Sequence, residues 1–280
     1  MSPGFVTKGV SCYERRHDGC RRRSNRHGHS KESRLRKKIV LGDKKWENAQ
    51  AIAGIMCDAG FDVTAVKTDI SSRDSIRNLT AEAQKYGEIS LFVNAAGVSP
   101  SQASIRTILN VDLYGTAVLL EEVGRIIRKG GAGVTISSQS GHRLPALGAE
   151  MDEQLACTPT EELLRLDILQ EEHIRDTLHA YQLAKRCNVK RVMAEAVKWG
   201  TRGARLNSIS PGIVVTPLAI DEFNGPRGDF YKNMFAACPA GRPGTADEVA
   251  NVAELLLRSG LIKRMSGMFF DFKRCGNLVP

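Results

Sequence analysis

Short apolar runs alternate with stretches of helical period along most of this chain. Ile39-Val40-Leu41 ends at Gly42-Asp43, and Glu47 to Ala59 then repeats its apolar positions at helical spacing and stops at Gly60. Phe61 to Lys67 alternates as a strand does, and Ser71 to Tyr86 returns to the helical period. Ser90 to Val93 is a short strand followed by Asn94-Ala95-Ala96-Gly97, Ser104 to Arg128 predicts one long helix, and Gly133 to Ser137 is a further strand. His179 to Gly200 is a helix, Arg205 to Ile209 a strand ending at Pro211-Gly212, and Asp247 to Arg258 a helix with Thr245 as its N-cap. Strands alternating with helices predict βαβ units and a doubly wound parallel α/β sheet in a single domain. Such sheets bind ligands beyond the carboxyl ends of their strands, where most of the Gly- and Asn-containing turns fall.

Composition leaves this picture intact. A chain of 280 residues with 42% apolar content can bury one large α/β core. No apolar run approaches the roughly 20 residues a membrane span needs, and no secretory apolar region follows Met1. The seven Cys are odd in number, scattered and without a C-x-x-C pair, which reads as reduced thiols in the cytoplasm.

Charge does change the picture. Residues 1–38 hold 12 Lys and Arg against three Asp and Glu, a net of +9, while the remaining residues balance at 28 of each sign. The basic pI therefore belongs to the N-terminal segment alone.

Chemistry centres on Tyr181-Gln182-Leu183-Ala184-Lys185. Positions i and i+4 share a helix face, and a cation beside a phenol favours the phenolate. A Tyr tuned in this way exchanges a proton with an alcohol or ketone near neutral pH. Around this pair other motifs fall in order: Asp69-Ile70, Asn94-Ala95-Ala96-Gly97, Asn110-Val111-Asp112-Leu113-Tyr114-Gly115, Ser137-Ser138-Gln139-Ser140-Gly141, Pro211-Gly212-Ile213 with Thr216, and Gly241-Arg242-Pro243-Gly244.

On these motifs, residues 39–272 resemble the short-chain dehydrogenase/reductase family. The resemblance implies a Rossmann-type fold and hydride transfer between a nicotinamide cofactor and a secondary alcohol or ketone. It implies Asn110, Ser138, Tyr181 and Lys185 as the catalytic set. Ser138 would bond the substrate oxygen, Tyr181 exchange its proton, Lys185 hold the nicotinamide ribose, and Asn110 order a water that links Lys185 to solvent. It also implies a cofactor path along Asp43, Asp69, Ile70, Asn94, Ala95, Ala96 and Gly97, then Tyr181, Lys185, Pro211, Gly212, Ile213 and Thr216. Asp43 ends the second strand, where a carboxylate accepts hydrogen bonds from a ribose, so NAD is expected ahead of NADP. Lys44 and Lys45 come next in the chain, either softening repulsion of a 2′-phosphate or standing as exposed charges. Partners are then a small alcohol or ketone and further copies of the same chain in a homo-oligomer, with no metal, membrane or nucleic acid.

The chain departs from the family in three places. No glycine-rich turn lies upstream of Asp43 to cradle a pyrophosphate, so the first strand and its turn are expected to be absent or disordered. Residues 1–38 read as a basic tail for nucleic acid or anionic surfaces, as a targeting peptide, or as the product of a reading-frame shift. The third is favoured: Arg21, Arg23 and Arg26 have the spacing G-x-G-x-x-G, and reading Arg codons one base later yields codons that begin with G. On this account residues 39–280 form the dehydrogenase domain, and the chain is either an enzyme or a catalytically impaired remnant that binds partners through its basic segment. Second, 43 positions separate Ser138 from Tyr181, which implies an insertion at about 143–178. Within it Thr158-Pro159-Thr160-Glu161-Glu162 reads as a helix start, with Leu163, Leu164, Leu166, Ile168 and Leu169 as an apolar face. That helix would pack on the body or a neighbouring subunit, or act as a lid over a bulky alicyclic, steroid-like substrate. Third, Met265 to Phe272 reads as the last strand, followed by Lys273-Arg274-Cys275-Gly276 where the family has D-G-G.

Overall fold

A computed structural model describes residues 10–15, 37–225, 228–237, 240–258 and 269–271. Its centre is a seven-stranded sheet. The strands are β1 (Val10–Arg15), β2 (Lys37–Asp43), β3 (Asp62–Lys67), β4 (Ile89–Asn94), β5 (Ile127–Ile136), β6 (Arg205–Ser210) and β7 (Phe269–Asp271), in the order β3-β2-β1-β4-β5-β6-β7. The helices are α1 (Trp46–Asp58), α2 (Arg73–Gln84), α3 (Ile105–Ile108), α4 (Thr116–Ile126), α5 (Ala149–Cys157), α6 (Thr177–Thr201), α7 (Pro217–Asn224), α8 (Gly228–Ala236) and α9 (Ala246–Leu257). No helix among the described residues is long and apolar enough to cross a membrane.

Every strand pair outside β1 is parallel, so the carboxyl ends of β2, β4, β5 and β6 share one edge. The exception is β1, antiparallel to both β2 and β4. This corrects the expectation of a missing first strand: Val10–Arg15 fill the mid-sheet slot, in the reverse direction. Facing edges of β2 and β4 carry backbone donors and acceptors that need partners, and an antiparallel strand supplies them as well as a parallel one does.

Alternation along the strands sends side chains to two helix layers. Phe92 and Leu206 face α2, α4 and α6 in the main core, whereas Val134 and Ile209 face α9. Trp199 anchors the first layer. It is fully buried, packs on Phe92 at a ring-centroid distance of 6.1 Å, and donates its Nε1–H to the Leu120 carbonyl at 3.0 Å.

Two stretches differ from the periodic reading. The single helix expected over Ser104 to Arg128 is broken: α3 opens into a wide π turn over Leu109–Gly115 before α4 begins, and β5 starts already at Ile127. Such widened turns insert a residue into the helical ladder and rotate the downstream turns about the helix axis. The helix expected from Thr158 is absent. Instead α5 ends at Cys157, and three short 3₁₀ turns (Leu163–Arg165, Asp167–Leu169 and Glu171–His173) carry the chain to α6. Gln170 fixes this irregular path, its Nε2 donating to the carbonyls of Leu164 and Leu166, each at 3.0 Å.

Leu155, Leu163 and Leu169 bury in a second core against Leu183, Ala184 and Cys187 of α6. Asp152 pairs with Arg186 and Lys190, and Glu161 with Arg73. The segment between Ser138 and Tyr181 is thus docked along α6 and the α3–α4 bend. Phe269–Asp271 pair with β6 where the last strand was expected; the rest of Met265 to Phe272, and Lys273 to Gly276, lie outside the described residues.

Candidate active site

Beyond the end of β5 the chain turns sharply and is fastened to α6. Ser137 Oγ donates to the Lys185 carbonyl at 2.8 Å. Gly141 lies so close to α6 that a Cβ there would stand 2.6 Å from Arg186 N and 2.7 Å from Lys185 C. These contacts set the turn bearing Ser138 beside the first half of α6. Ser138 Oγ accepts the Ser140 N–H at 3.1 Å, which orients the hydroxyl. Asp176 caps α6 by accepting the His179 N–H at 2.7 Å, fixing where the helix begins.

From that start Tyr181 and Lys185 share a face, with Lys185 Nζ 5.3 Å from the Tyr181 ring centroid. Burial works to discharge Lys185, but the negative charges of Asp112 and Tyr181 outweigh it and hold the ammonium above its ordinary value. Ser138, Tyr181 and Lys185 line one cleft of about 2260 Å³, which opens at the carboxyl ends of the strands and continues between α1 and α9.

Asn110 is not brought there. Its Nδ2 turns back to donate to the Arg106 carbonyl at 2.8 Å, and it does not line the cleft. The π turn presents Asp112 instead. Fully buried, Asp112 accepts the Val98 N–H at 2.9 Å through Oδ1 and faces Lys185. Burial pushes its carboxyl up, while Lys185 and the Val98 N–H pull against the rise. No spacing in the sequence marks Asp112, because the π turn resets the helical phase. Thr116, four residues on, meets Asn94 at the end of β4, with Asn94 Nδ2 donating to Thr116 Oγ1 at 3.2 Å. Asn110 precedes Asp112 by two residues, so it projects from another side of the helix.

The remaining expected positions divide in the same way. Asp43, Ala95, Ala96 and Gly97 line the cleft at one end, and Pro211, Gly212, Ile213 and Thr216 at the other. Asn94 lies beneath it, buried, its Oδ1 accepting the Ala96 N–H at 3.2 Å and so shaping the turn. Asp69 and Ile70 do not line it. Ile70 belongs to the main core, and Asp69 pairs with Lys44 at 2.8 Å and accepts from Ser71. Burial opposes the ionisation of Asp69, but Lys44 and Ser71 hold its carboxyl below the ordinary value. Lys44 is thereby engaged beside Asp43, whose own Oδ1 accepts the Lys45 N–H at 2.8 Å. His142, at the end of the turn after Ser138, lies outside the cleft, its Nε2 meeting Ser210 Oγ at 2.9 Å.

A family model described as Enoyl-(Acyl carrier protein) reductase matches residues 37–153 and 144–268. The short-chain dehydrogenase/reductase bsc3 of Alternaria brassicicola is 37% identical over 226 residues, covering 80% of this chain and 81% of that protein. The chain belongs to the short-chain dehydrogenase/reductase family. D-threitol dehydrogenase of Mycolicibacterium smegmatis is 27% identical over 227 residues, 78% of this chain and 75% of that one. Among solved structures, the 3-alpha-hydroxysteroid dehydrogenase of Pseudomonas sp. B-0831 complexed with NADH superposes with a TM-score of 0.64 at 24% identity, covering 80% of this chain and 90% of that one.

The described residues of this short-chain dehydrogenase/reductase line both ends of the cleft but supply no phosphate cradle between them. Asp43 supplies a carboxylate at one end of the cleft, and Lys185 and the Pro211–Ile213 turn line it further along. Between them a pyrophosphate needs a strand that runs into the cleft and then into a helix N-terminus. Here β1 begins at the carboxyl edge of the parallel strands, with Val10 paired to Gly42 and Asn94, and runs back to their amino edge, where Arg15 lies opposite Lys37. Among the described residues no helix N-terminus is delivered to that point.

Proposed function

We propose that this short-chain dehydrogenase/reductase is an oxidoreductase interconverting a secondary alcohol and its ketone, with NAD as cofactor. The observation that carries the reading is the buried Lys185 ammonium beside the Tyr181 ring, in the cleft that also holds Ser138. A bound nicotinamide accepts or returns the hydride. Ser138 Oγ holds the substrate oxygen, the Tyr181 phenol exchanges its proton, and Lys185 favours the phenolate and bonds the ribose. D-threitol dehydrogenase, by its name, acts on an alcohol, which supports the same substrate class.

Preference for NAD rests on Asp43, a carboxylate at the ribose end, with Lys44 engaged by Asp69. Phe223, Phe230, Tyr231 and Met234 form an apolar wall, which favours a bulky alicyclic alcohol over a small polyol. Met193 and Val197, exposed one turn apart on α6, support assembly into a homo-oligomer, which sedimentation would test.

A second reading, a fold that has lost its cofactor, is favoured by the reversed β1. Calorimetric titration with NADH and NADPH, followed by turnover on a panel of cyclic secondary alcohols, separates the two. Saturable NADH binding with turnover supports the enzyme. Absence of both overturns it, and salt-sensitive nucleic-acid binding by the same protein would then favour a role for the basic segment.

A further inference from the structure

The cleft that holds Ser138 and Tyr181 carries two cations that alcohol–ketone chemistry does not use. Arg143 ends the turn that begins at Ser138, and Arg175 stands one residue before Asp176, the N-cap of α6; both line the cleft. Arg143 reaches across to α8. Its guanidinium carbon lies 5.6 Å from the centre of the Phe230 ring, and Nη1 meets Met234 Sδ. An aromatic face and a thioether hold a guanidinium in place, but neither gives its N–H groups a strong acceptor. Among the described residues no carboxylate pairs with the guanidinium of Arg143 or of Arg175. The carboxylate beside Arg175 in the chain, Asp176, is committed to the helix start, accepting the His179 N–H at 2.7 Å. His179 adds no positive charge of its own. Burial, and then the Arg175 charge, hold its imidazole below the ordinary value against the pull of Asp176, so it is neutral at pH 7. The apolar wall of α7 and α8 is thus rimmed by two uncompensated guanidinium groups from two different elements.

We propose that the substrate is an alicyclic alcohol or ketone bearing a carboxylate, with its ring on the Phe230–Met234 wall and its carboxylate on Arg143, Arg175 adding positive charge at the same end. The inference rests on the alcohol–ketone reading and names the substrate class within it. A neutral alcohol covers the wall but leaves the Arg143 donors to water. A carboxylate takes two of them in parallel, the fork geometry that a guanidinium offers and an ammonium does not. Arg143 is exposed, so solvent and salt screen the pair, and its effect is selection among substrates of similar shape rather than great affinity. The carboxylate takes no part in the reaction. In the oxidative direction the carbinol carbon gives its hydride to the nicotinamide and the hydroxyl gives its proton to Tyr181, while the charge on Arg143 stays where it is.

The test compares 4-oxocyclohexanecarboxylate with 4-oxocyclohexanecarboxamide, which share ring and ketone and differ in charge. Calorimetry on the full chain, in the presence and absence of NADH, gives the affinity for each, and the tighter condition is the one compared. The wild type should bind the carboxylate about tenfold more tightly than the carboxamide, and added salt should narrow that ratio. In Arg143→Met, which keeps an unbranched stem against Phe230, the ratio should fall to within about twofold of unity. Arg143→Gln is a second neutral form with the same expected result, and Arg143→Lys should recover part of the ratio, which a purely structural role would not require. Arg175→Met should lower the ratio by a smaller factor, about threefold. Equal affinity for the two compounds in the wild type, no binding of the carboxylate, or a ratio that survives in either folded neutral form of Arg143 overturns the proposal. So does failure of both neutral forms to fold, which would assign Arg143 to the fold. If neither compound turns over while the carboxylate binds and Arg143→Met abolishes its advantage, the alcohol–ketone reading falls and the anion subsite stands.

Discussion

At the residue scale the site is a small set of side chains held by backbone contacts. In the proposed mechanism Tyr181 exchanges the proton, so Tyr181→Phe should lower kcat by about 10²–10⁴-fold. Calorimetry should show NADH affinity within a few-fold of wild type, because the phenyl ring and Lys185 remain. Asp43 is argued from charge. Asp43→Ala should shift the ratio of NADH to NADPH affinity toward NADPH by about tenfold, roughly 1.4 kcal/mol; a wild-type preference for NADPH would refute the assignment. Tyr181 and Lys185 were legible because a spacing of four on a helix survives in sequence. Asp112 was not, because the π turn that aims it is a matter of backbone hydrogen bonding, and Asn110 has the more suggestive chemistry in the sequence alone.

At the scale of elements, the parallel strands were readable because both of their faces are buried. Ile39-Val40-Leu41 and Leu206 with Ile209 leave no ambiguity about burial. The segment after Ser138 was harder. Leu163, Leu164, Leu166, Ile168 and Leu169 look like a helix face, but their side chains settle into a core built by α6, and Gln170 supplies the bonds that let the backbone avoid helix. Asp152 ties this segment down through a bidentate pair with Arg186, both contacts at 2.8 Å, and a further ion pair to Lys190. Burial opposes its ionisation, yet these two cations hold its carboxyl below the ordinary value. A depressed carboxyl contributes stability above its unfolded pKa and loses that contribution as pH falls through the folded one. Urea melts should therefore show Asp152→Asn costing about 1–2 kcal/mol at neutral pH, with the gap closing as pH falls through the carboxylate range. A gap that is the same at both ends of that range would refute the pairing.

At the scale of the whole molecule, the sheet keeps its order while one strand runs backwards. The family match begins at residue 37, the first residue of β2, and the net charge of the chain lies upstream of residue 39. The described strands form one continuous sheet, and among the described residues no helix start is aimed at the middle of the cleft. A chain in which residues 17–36 take the shifted reading, with Gly at positions 21, 23 and 26, should bind NADH at least about tenfold more tightly. Equal affinity in the two chains would remove the pyrophosphate argument. Sequence made the segment look anomalous, since Arg side chains cannot imitate a glycine turn; that Val10–Arg15 would complete the sheet in reverse was not visible, because strand direction leaves no mark on a six-residue run.

The burial of Trp199 has an optical consequence. The chain has two tryptophans. Trp199 is sealed between Phe92 and α4 with its indole N–H bonded, so its emission should be blue and insensitive to quenchers in water. Trp46 is 38% exposed at the start of α1, three residues from Asp43 at the cleft edge, so it should emit to the red and respond to a ligand that binds against Asp43. Trp46→Phe leaves a single chromophore that changes colour only when the sheet parts from α6. Trp199→Phe leaves one that watches the cleft. The fold thus carries two separate lamps, one for unfolding and one for occupancy, and a ligand that dims the second while leaving the first unchanged has bound without loosening the core.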